Sequence, residues 1–587
     1  MTIFHENLNI LWGSLLIEEL IRNGSNYFLI SPGSRSTPLT VAVARNPGAE
    51  HSIIYDERSA AFQALGYARG TGRAAVLICT SGTAIANYMP AVVEASLDNV
   101  PLIVLSADRP PEKIETAANQ TIRQSKFFGE YVRWSFDLPC PTEEIPPSLV
   151  LTTVDQLVHR SVSHPRGPVH LNCQFREPLA PLSRNISKSY LGQLEKWQQD
   201  SNPATVYHQM KKSPAREDLK QFSEIMNQST RGLLVLGRMN PEVDYELVAQ
   251  FAQRSGWPVF ADILSGHRLG NHLDNLVTYF DLMLLAPDTV SRINADTIVH
   301  LGEQPASKRY LQFVDQLAPS HYILINNHPY RSDPMHRVTW RIEADMNTFL
   351  LQAIPELGTA MDKPLMNYFR ESTRRLHELI DKSLCQGSAL SEPAVSRLIS
   401  QNIPPGHGLF LGNSLPIREM DMMGDSGCNG ISIAGNRGVS GIDGTISTAV
   451  GYSRGLNKPT TAIMGDLAFL HDLNSLSQVK ESDLPLILIV INNRGGGIFS
   501  FLPIAGFENV FEKFFATPHT LTFEHAARMF GIDYHLPANK ADFLDIYKSL
   551  INSGSSAIIE IRTDRQENYR LHSDIFSRII SELDKLK

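Results

Sequence analysis

What this sequence lacks narrows its class first. Cysteine is scarce: five in 587 residues, at positions 79, 140, 173, 385 and 428. They are scattered, odd in number and form no Cys-x-x-Cys pair. Neither a disulfide framework nor a zinc site is suggested, and a reducing, cytoplasmic setting fits best. No apolar run approaches the ~20 residues of a membrane span. The stretch 1-MTIFHENLNILWGSLLIEELIRNG-24 has no basic start, and its apolar residues recur at helical spacing. It predicts an amphipathic helix stopping at Gly24, not a secretory signal. Positive charge is also short: 53 Lys and Arg against 61 Asp and Glu leave a net charge of -8. That excludes a broad nucleic-acid surface, although a local cluster of arginines stays compatible with it. There is no short repeat and no His-His pair.

What is present is ordinary globular composition, 42% hydrophobic and 19% charged, in a chain too long for one core. The first third alternates strand-like runs (27–30, 52–55, 75–78, 102–105, 168–171) with helical patterns. The runs end in small or polar loops such as 31-SPGSRSTP-38 and 106-SADRPPE-112. A polar segment, 195–218, reads as a linker. A second block has runs at 232–237, 258–263, 297–302 and 321–327. A helical connector at 366–384 leads to a third, with runs at 408–412, 431–435, 460–465, 485–491 and 557–563. The expectation is α/β architecture in three doubly wound parallel-sheet domains, spanning 1–190, 215–355 and 385–587. Ligands then belong beyond the carboxyl ends of the strands.

One such end is 464-MGDLAFLHDLNSLSQVKESDLPLILIVINNRGGG-497. Asp466 follows one strand and Asn493 the next, and the intervening helix makes a βαβ unit that sets the two strand ends side by side. A carboxylate, a carboxamide and carbonyls of a glycine loop form a hard-oxygen set suited to Mg²⁺, which takes its remaining ligands from phosphates. Read singly, Asp466 is as well explained as a helix cap and Asn493 as a turn residue. The joint spacing favours the metal.

The segment resembles the diphosphate- and metal-binding motif of thiamine diphosphate enzymes, with Leu467 where a second glycine is usual. The resemblance implies Asp466, Asn493 and the Gly495 carbonyl as metal ligands, with Gly465 and Leu467 beside the cofactor. It also implies a glutamate opposite the aminopyrimidine N1′, matched by Glu57 in 55-YDERSAAFQALGYARG-70. This carboxyl shares a proton with N1′. Taken alone, Glu57 reads as a helix N-terminal carboxylate favoured by the macrodipole. The domains at 1–190 and 385–587 become the aminopyrimidine- and diphosphate-binding domains, with a Rossmann-like domain between them.

Five loops carry Arg35, Arg109, Lys308 with Arg309, Arg418 and Arg437, an unusual gathering of cations in an acidic chain. Arginine grips carboxylates bidentately and stays charged when desolvated. Their motifs, SPGSRSTPL, SADRPPE, GNSLPIR and GNRGVSGIDG, are similar to those of the 2-succinyl-5-enolpyruvyl-6-hydroxy-3-cyclohexene-1-carboxylate synthases. That resemblance implies decarboxylation of 2-oxoglutarate and 1,4-addition of the succinyl carbanion to isochorismate, in menaquinone or phylloquinone biosynthesis. It implies thiamine diphosphate with Mg²⁺ or Mn²⁺, and a homodimer or tetramer whose active sites lie between subunits. By the same resemblance Ser414 and Arg418 hold the distal carboxylate of the first substrate. Ser34, Arg35, Arg109, Lys308, Arg309 and Arg437 meet isochorismate or the product. Gln120, with Asn119 beside it, lies near the reacting carbon. Ile442 props the cofactor, and Phe499 and Leu502 wall the pocket. Two alternatives stay open: another thiamine diphosphate decarboxylase or carboligase, and a non-catalytic nucleotide-binding protein. The lack of Gly-x-Gly-x-x-Gly in 232-GLLVLGRMNP-241 counts against the second.

Overall fold

The computed structural model describes residues 4–270, 273–358, 363–427 and 430–586, so Cys428 lies outside the described residues. Seventeen strands form three sheets, and every pairing between them is parallel. The α/β architecture with three parallel sheets expected from the sequence is what the chain adopts.

The chain divides into two compact units. One holds the residues up to Met210 together with Asn436–Asn457 and Asp472–Glu481. Its sheet contains β1 (Tyr27–Ile30), β2 (Glu50–Ile53), β3 (Ala75–Cys79), β4 (Leu102–Asp108), β5 (Trp134–Leu138) and β6 (Pro168–Gln174), in the order β2-β1-β3-β4-β6-β5. Alternate residues of one strand feed opposite faces. Phe28, Ile30, Val76 and Ile78 join one apolar core, while Tyr27, Leu29, Ala75 and Leu77 join another. Each fully buried aliphatic side chain contributes ~1.5–3 kcal/mol. On the second face, helix Glu57–Thr71 meets helix Thr445–Leu456 at small residues. A Cβ on Gly66 would sit 2.0 Å from the Thr448 carbonyl oxygen, and one on Gly451 would sit 1.9 Å from that of Gln63.

The other unit holds Lys211–Gly435, Lys458–His471 and the chain from Ser482 onward. It carries two sheets. One contains β7 (Gly232–Leu236), β8 (Val259–Ala261), β9 (Thr297–Leu301), β10 (His321–Asn326) and β11 (Trp340–Glu343), in the order β11-β10-β9-β7-β8. The other contains β12 (Gly408–Leu411), β13 (Ser432–Ala434), β14 (Thr460–Gly465), β15 (Leu486–Asn492), β16 (Asp533–His535) and β17 (Ala557–Arg562), in the order β13-β12-β14-β15-β17-β16.

Three local expectations change. The first helix, Leu8–Arg22, is not amphipathic in its setting: Asn9 to Ile17, Glu19 and Leu20 are all buried. Three strands had no counterpart in the sequence reading: β5, β11 and β16, one per sheet and each at an edge. The segment 195–218 is not a free linker. Trp197 donates from Nε1 to Glu19 Oε2 at 2.6 Å, and the Arg22 guanidinium lies 4.0 Å over its ring. Tyr207 stacks on His159 at 4.4 Å. Further along, Asp345 N donates to Lys212 O at 2.9 Å.

Candidate active site

The register Gly465↔Ile491 sets the ends of β14 and β15 level, with Asp466 and Asn493 just beyond. Asp466 opens helix Asp466–His471 and is buried. Its Oδ1 accepts from Leu467 N at 2.7 Å and its Oδ2 from Gly495 N at 2.9 Å. His519 Nε2 lies 3.2 Å from Oδ2. Burial pushes this carboxyl above the usual carboxylate range, against the pull of the Gly495 N–H and of His519.

The two adjacent asparagines behave differently. Asn492 uses both ends: Nδ2 donates to Glu560 Oε1 at 2.8 Å and to Leu521 O at 3.0 Å, and Oδ1 accepts from Arg494 N at 3.3 Å. Asn493 donates from Nδ2 to Glu392 Oε1 at 3.0 Å. Its Oδ1 is buried and meets no donor among the described residues. A buried carbonyl oxygen without a donor costs about 1–3 kcal/mol unless something else fills its lone pairs. The Gly495–Gly497 loop is a cradle that side chains would fill. At Gly495, where φ is +142°, a Cβ would stand 2.2 Å from Ala516 O. At Gly497 it would stand 2.6 Å from Asn493 Nδ2. The Gly495 carbonyl accepts from Gly497 N at 2.9 Å and keeps a second lone pair. Among the described residues no cluster of three or more His, Cys, Asp or Glu forms a protein-only metal cage. A carboxylate, an orphaned amide oxygen and a loop carbonyl fit Mg²⁺, which shares its coordination with phosphates.

The same unit carries the candidate substrate residues of helices Leu415–Met423 and Lys308–Leu317. Ser414 precedes the first helix at φ +74°, a left-handed conformation that costs a non-glycine residue ~1–3 kcal/mol and is found where a site over-determines it. Arg418 Nη1 donates back to Ser414 O at 2.6 Å, so serine and arginine share one helical turn. A Cβ on Gly497 would touch Leu415 Cδ1 at 3.4 Å, which brings this turn against the Asn493 loop. Lys308 is exposed. Arg309 pairs with Asp281, reaches Met422 Sδ at 3.4 Å and covers the Phe576 ring at 4.8 Å. Phe499 is half-buried against Phe515, with ring centroids 5.9 Å apart, and Leu502 is exposed.

The first unit holds the rest. Glu57 is half-buried at the start of its helix, where Asp56 caps Arg58 N at 2.9 Å. Arg35 is buried; it donates to Phe175 O at 2.9 Å and pairs with Glu177 at 3.1 Å. Burial, then the charge of Arg109, pushes its guanidinium below the usual range. The Nε of Arg35 and that of Arg109 are each buried without an acceptor among the described residues. Ser34, Asn119 and Gln120 are exposed. Gln120 stands at φ +53° over Gly82, whose Cβ would lie 3.5 Å from Gln120 Cα. Arg437 and Ile442 are half-buried in the loop before helix Thr445–Leu456.

Sequence reasoning did not find the residues that hold these groups. Glu392 carries the Asn493 amide and accepts from Thr563 Oγ1 at 3.1 Å; burial pushes its carboxyl up to about 7. Glu94 holds the Arg437 loop, accepting from Gly438 N at 2.8 Å and Val439 N at 2.7 Å. Asn172 ties the Arg109 and Gln120 loops together: it donates to Asp108 Oδ2 at 2.9 Å and accepts from Gln124 at 3.0 Å, and Gln124 accepts from Gly82 N at 3.0 Å. Glu94 sits inside a helix with no flanking motif, and Glu392 opens one after Ser391 and before Pro393, where an acidic residue reads as an ordinary helix-start carboxylate. Beyond that, the signal for Glu94 was its polarity among buried apolar neighbours.

Three stretches match families of one class. Residues 12–127 match "Thiamine pyrophosphate enzyme, N-terminal TPP binding domain", 188–411 match "Middle domain of thiamine pyrophosphate", and 426–561 match "Thiamine pyrophosphate enzyme, C-terminal TPP binding domain". A solved structure from Mycobacterium smegmatis, assigned to the thiamin diphosphate-dependent enzymes, has the same fold. It covers 94% of this chain and 99% of its own, with TM-score 0.69 at 18% identity. The fold is thus that of the thiamine diphosphate enzymes.

Full-length relatives narrow the class. The chain is 44% identical to a 2-succinyl-5-enolpyruvyl-6-hydroxy-3-cyclohexene-1-carboxylate synthase of Chlorobaculum tepidum, over 99% of both chains. It is 42% identical to one of Rubrobacter xylanophilus, over 97% of this chain and 98% of that one. It belongs to the 2-succinyl-5-enolpyruvyl-6-hydroxy-3-cyclohexene-1-carboxylate synthase family.

Proposed function

We propose that this protein decarboxylates 2-oxoglutarate and adds the succinyl unit 1,4 to isochorismate. The products are 2-succinyl-5-enolpyruvyl-6-hydroxy-3-cyclohexene-1-carboxylate and CO₂, on the route to menaquinone or phylloquinone. Family membership over the whole chain supports the reaction. The observation that carries the substrate class is the buried Nε–H of Arg35 and of Arg109, which lack acceptors among the described residues. A buried guanidinium N–H without an acceptor is satisfied by a carboxylate, and the substrates bring several.

Bound thiamine diphosphate supplies the electron sink for loss of CO₂. Asp466 Oδ, Asn493 Oδ1 and the Gly495 carbonyl would hold Mg²⁺, or Mn²⁺ in its place, on the diphosphate, with Gly465 and Leu467 alongside. Glu57 would share a proton with the aminopyrimidine, and Ile442 would prop the ring. Ser414 and Arg418 would receive the distal carboxylate of 2-oxoglutarate. Arg35, Arg109, Lys308, Arg309, Arg437 and Ser34 would take isochorismate, with Gln120 and Asn119 at the reacting carbon and Phe499 and Leu502 as apolar wall. Glu57 and Asp466 belong to different units, and we place the completed site between subunits of a homodimer or tetramer in the cytoplasm. No described helix is long and apolar enough to cross a membrane.

The test mixes the protein with 2-oxoglutarate, Mg²⁺ and thiamine diphosphate, with and without isochorismate. CO₂ release coupled to isochorismate consumption is expected. Rapid release of an aldehyde with isochorismate untouched would replace this reading with a plain decarboxylase.

A further inference from the structure

Asn493 carries a question that its position alone does not answer. A carboxamide is nearly symmetric in shape, and either end fits the same space. A metal ligand must present oxygen, since the amide nitrogen has no lone pair to give. Something must therefore decide which end points where.

We propose that Glu392 is the positioning residue that makes this choice. The idea rests on the reading of Asp466 and Asn493 as metal ligands. Glu392 opens helix Glu392–Asn402 and is 2% exposed. Its Oε1 receives the Asn493 Nδ2–H at 3.0 Å and the Thr563 hydroxyl at 3.1 Å. Thr563 follows β17 directly, and its backbone N donates to Asn492 O at 3.1 Å. The carboxyl is thus fixed from two directions: by its own helix and by the strand next to β15. An oxygen that already receives the threonine proton can face only the NH₂ end of the carboxamide. The oxygen end is then turned away from Glu392, and Oδ1 is left buried with no donor among the described residues. Asn492 is the internal control. Its NH₂ is likewise held by a buried glutamate, Glu560, but its oxygen is consumed by the Arg494 N–H. Two neighbouring asparagines have the same kind of anchor, and only one presents a free oxygen.

The experiment titrates Mn²⁺ into the full-length protein with saturating thiamine diphosphate and counts free Mn²⁺ by electron paramagnetic resonance. Glu392→Met keeps the volume and removes the acceptor. Its Mn²⁺ Kd should rise about 10–100-fold, the usual effect of losing a partner that orients a metal ligand. Glu392→Gln can still offer an oxygen to the NH₂ and should bind within about threefold of the parent. Asn493→Ala should weaken binding at least as much as Glu392→Met, and the double variant should be no weaker than Asn493→Ala, because Glu392 acts only through that side chain. In turnover, the Mn²⁺ requirement of Glu392→Met should rise while kcat at saturating metal recovers. Parent-like Mn²⁺ affinity in Glu392→Met overturns the proposal, as does a double variant that loses the product of both effects. If Glu392→Met does not fold by circular dichroism, Glu392→Ala serves in its place under the same criteria. If Asp466→Ala and Asn493→Ala both bind Mn²⁺ normally, it is the metal-site reading that fails.

Discussion

The two candidate corners of the molecule are built from opposite shortages. In the first unit, Arg35 and Arg109 each leave a buried N–H donor without an acceptor among the described residues, although Arg35 also pairs with Glu177. In the second, Asp466, Asn493 and Glu392 crowd buried oxygens together and leave an acceptor without a donor among them. A surplus of donors invites an anion, and a surplus of acceptors invites a cation. Both are unstable as they stand, because a buried polar group without a partner costs free energy that a ligand recovers. The proposed anion at one corner and the proposed metal at the other each answer the local shortage.

The largest effect tests the residue that belongs to neither shortage. Glu57→Gln keeps size and removes the ionisable oxygen, and isochorismate-dependent turnover should fall ~10²–10⁴-fold, the range of a lost proton-transfer group. Near-parent turnover would remove the proposed proton sharing. A smaller effect addresses the cationic corner. Arg35→Ala and Arg109→Ala should each raise KM for isochorismate roughly 10–100-fold, as expected for about 1.5–3 kcal/mol per charge-assisted hydrogen bond. Because relieving one guanidinium eases the other, the double variant should lose less than the product; strictly multiplicative losses would show that the two do not share an anion.

The smallest effect is on stability and lies away from both corners. Burial, with the neighbouring Asp155 carboxyl, holds the Glu19 carboxyl up to about 8. A carboxyl raised in the folded state contributes stability that is fully present below its unfolded value, near 4.5, and lost as pH climbs through 8. Thermal unfolding should therefore shift to lower temperature from pH 5 to pH 8, by several degrees. Glu19→Gln, which cannot ionise, should flatten that slope; an unchanged slope would assign it to other groups.

What the sequence made legible follows the same physics. Central strands such as β3 and β15 are buried along their whole length and read as unbroken apolar runs. The three that escaped notice, β5, β11 and β16, are edge strands of only three to five residues; Trp134–Leu138 and Trp340–Glu343 do alternate apolar and polar residues, but too briefly to stand out beside the unbroken apolar runs of the central strands. At the sites, residues that follow a strand directly, Asp466 and Asn493 among them, stood at readable boundaries. Glu392 and Glu94 did not, because their work is done across the fold: Glu392 meets Asn493 101 positions away and Glu94 meets Gly438 344 positions away. A one-dimensional pattern carries no trace of such partners. The segment 195–218 looked featureless for a related reason, since its anchors on Glu19 and His159 are likewise distant in sequence.

The first unit draws on residues as late as Glu481, although its main run stops at Met210. On a ribosome those positions are separated by about 270 codons, or roughly 15–55 s at ~5–20 residues per second. For most of that interval helix Glu57–Thr71 waits with its glycine-bearing face bare, until helix Thr445–Leu456 has been made. The nascent chain makes the first unit's sheet early and the helix that packs on it only much later. A fragment cut at Met210 would carry the same exposed face permanently.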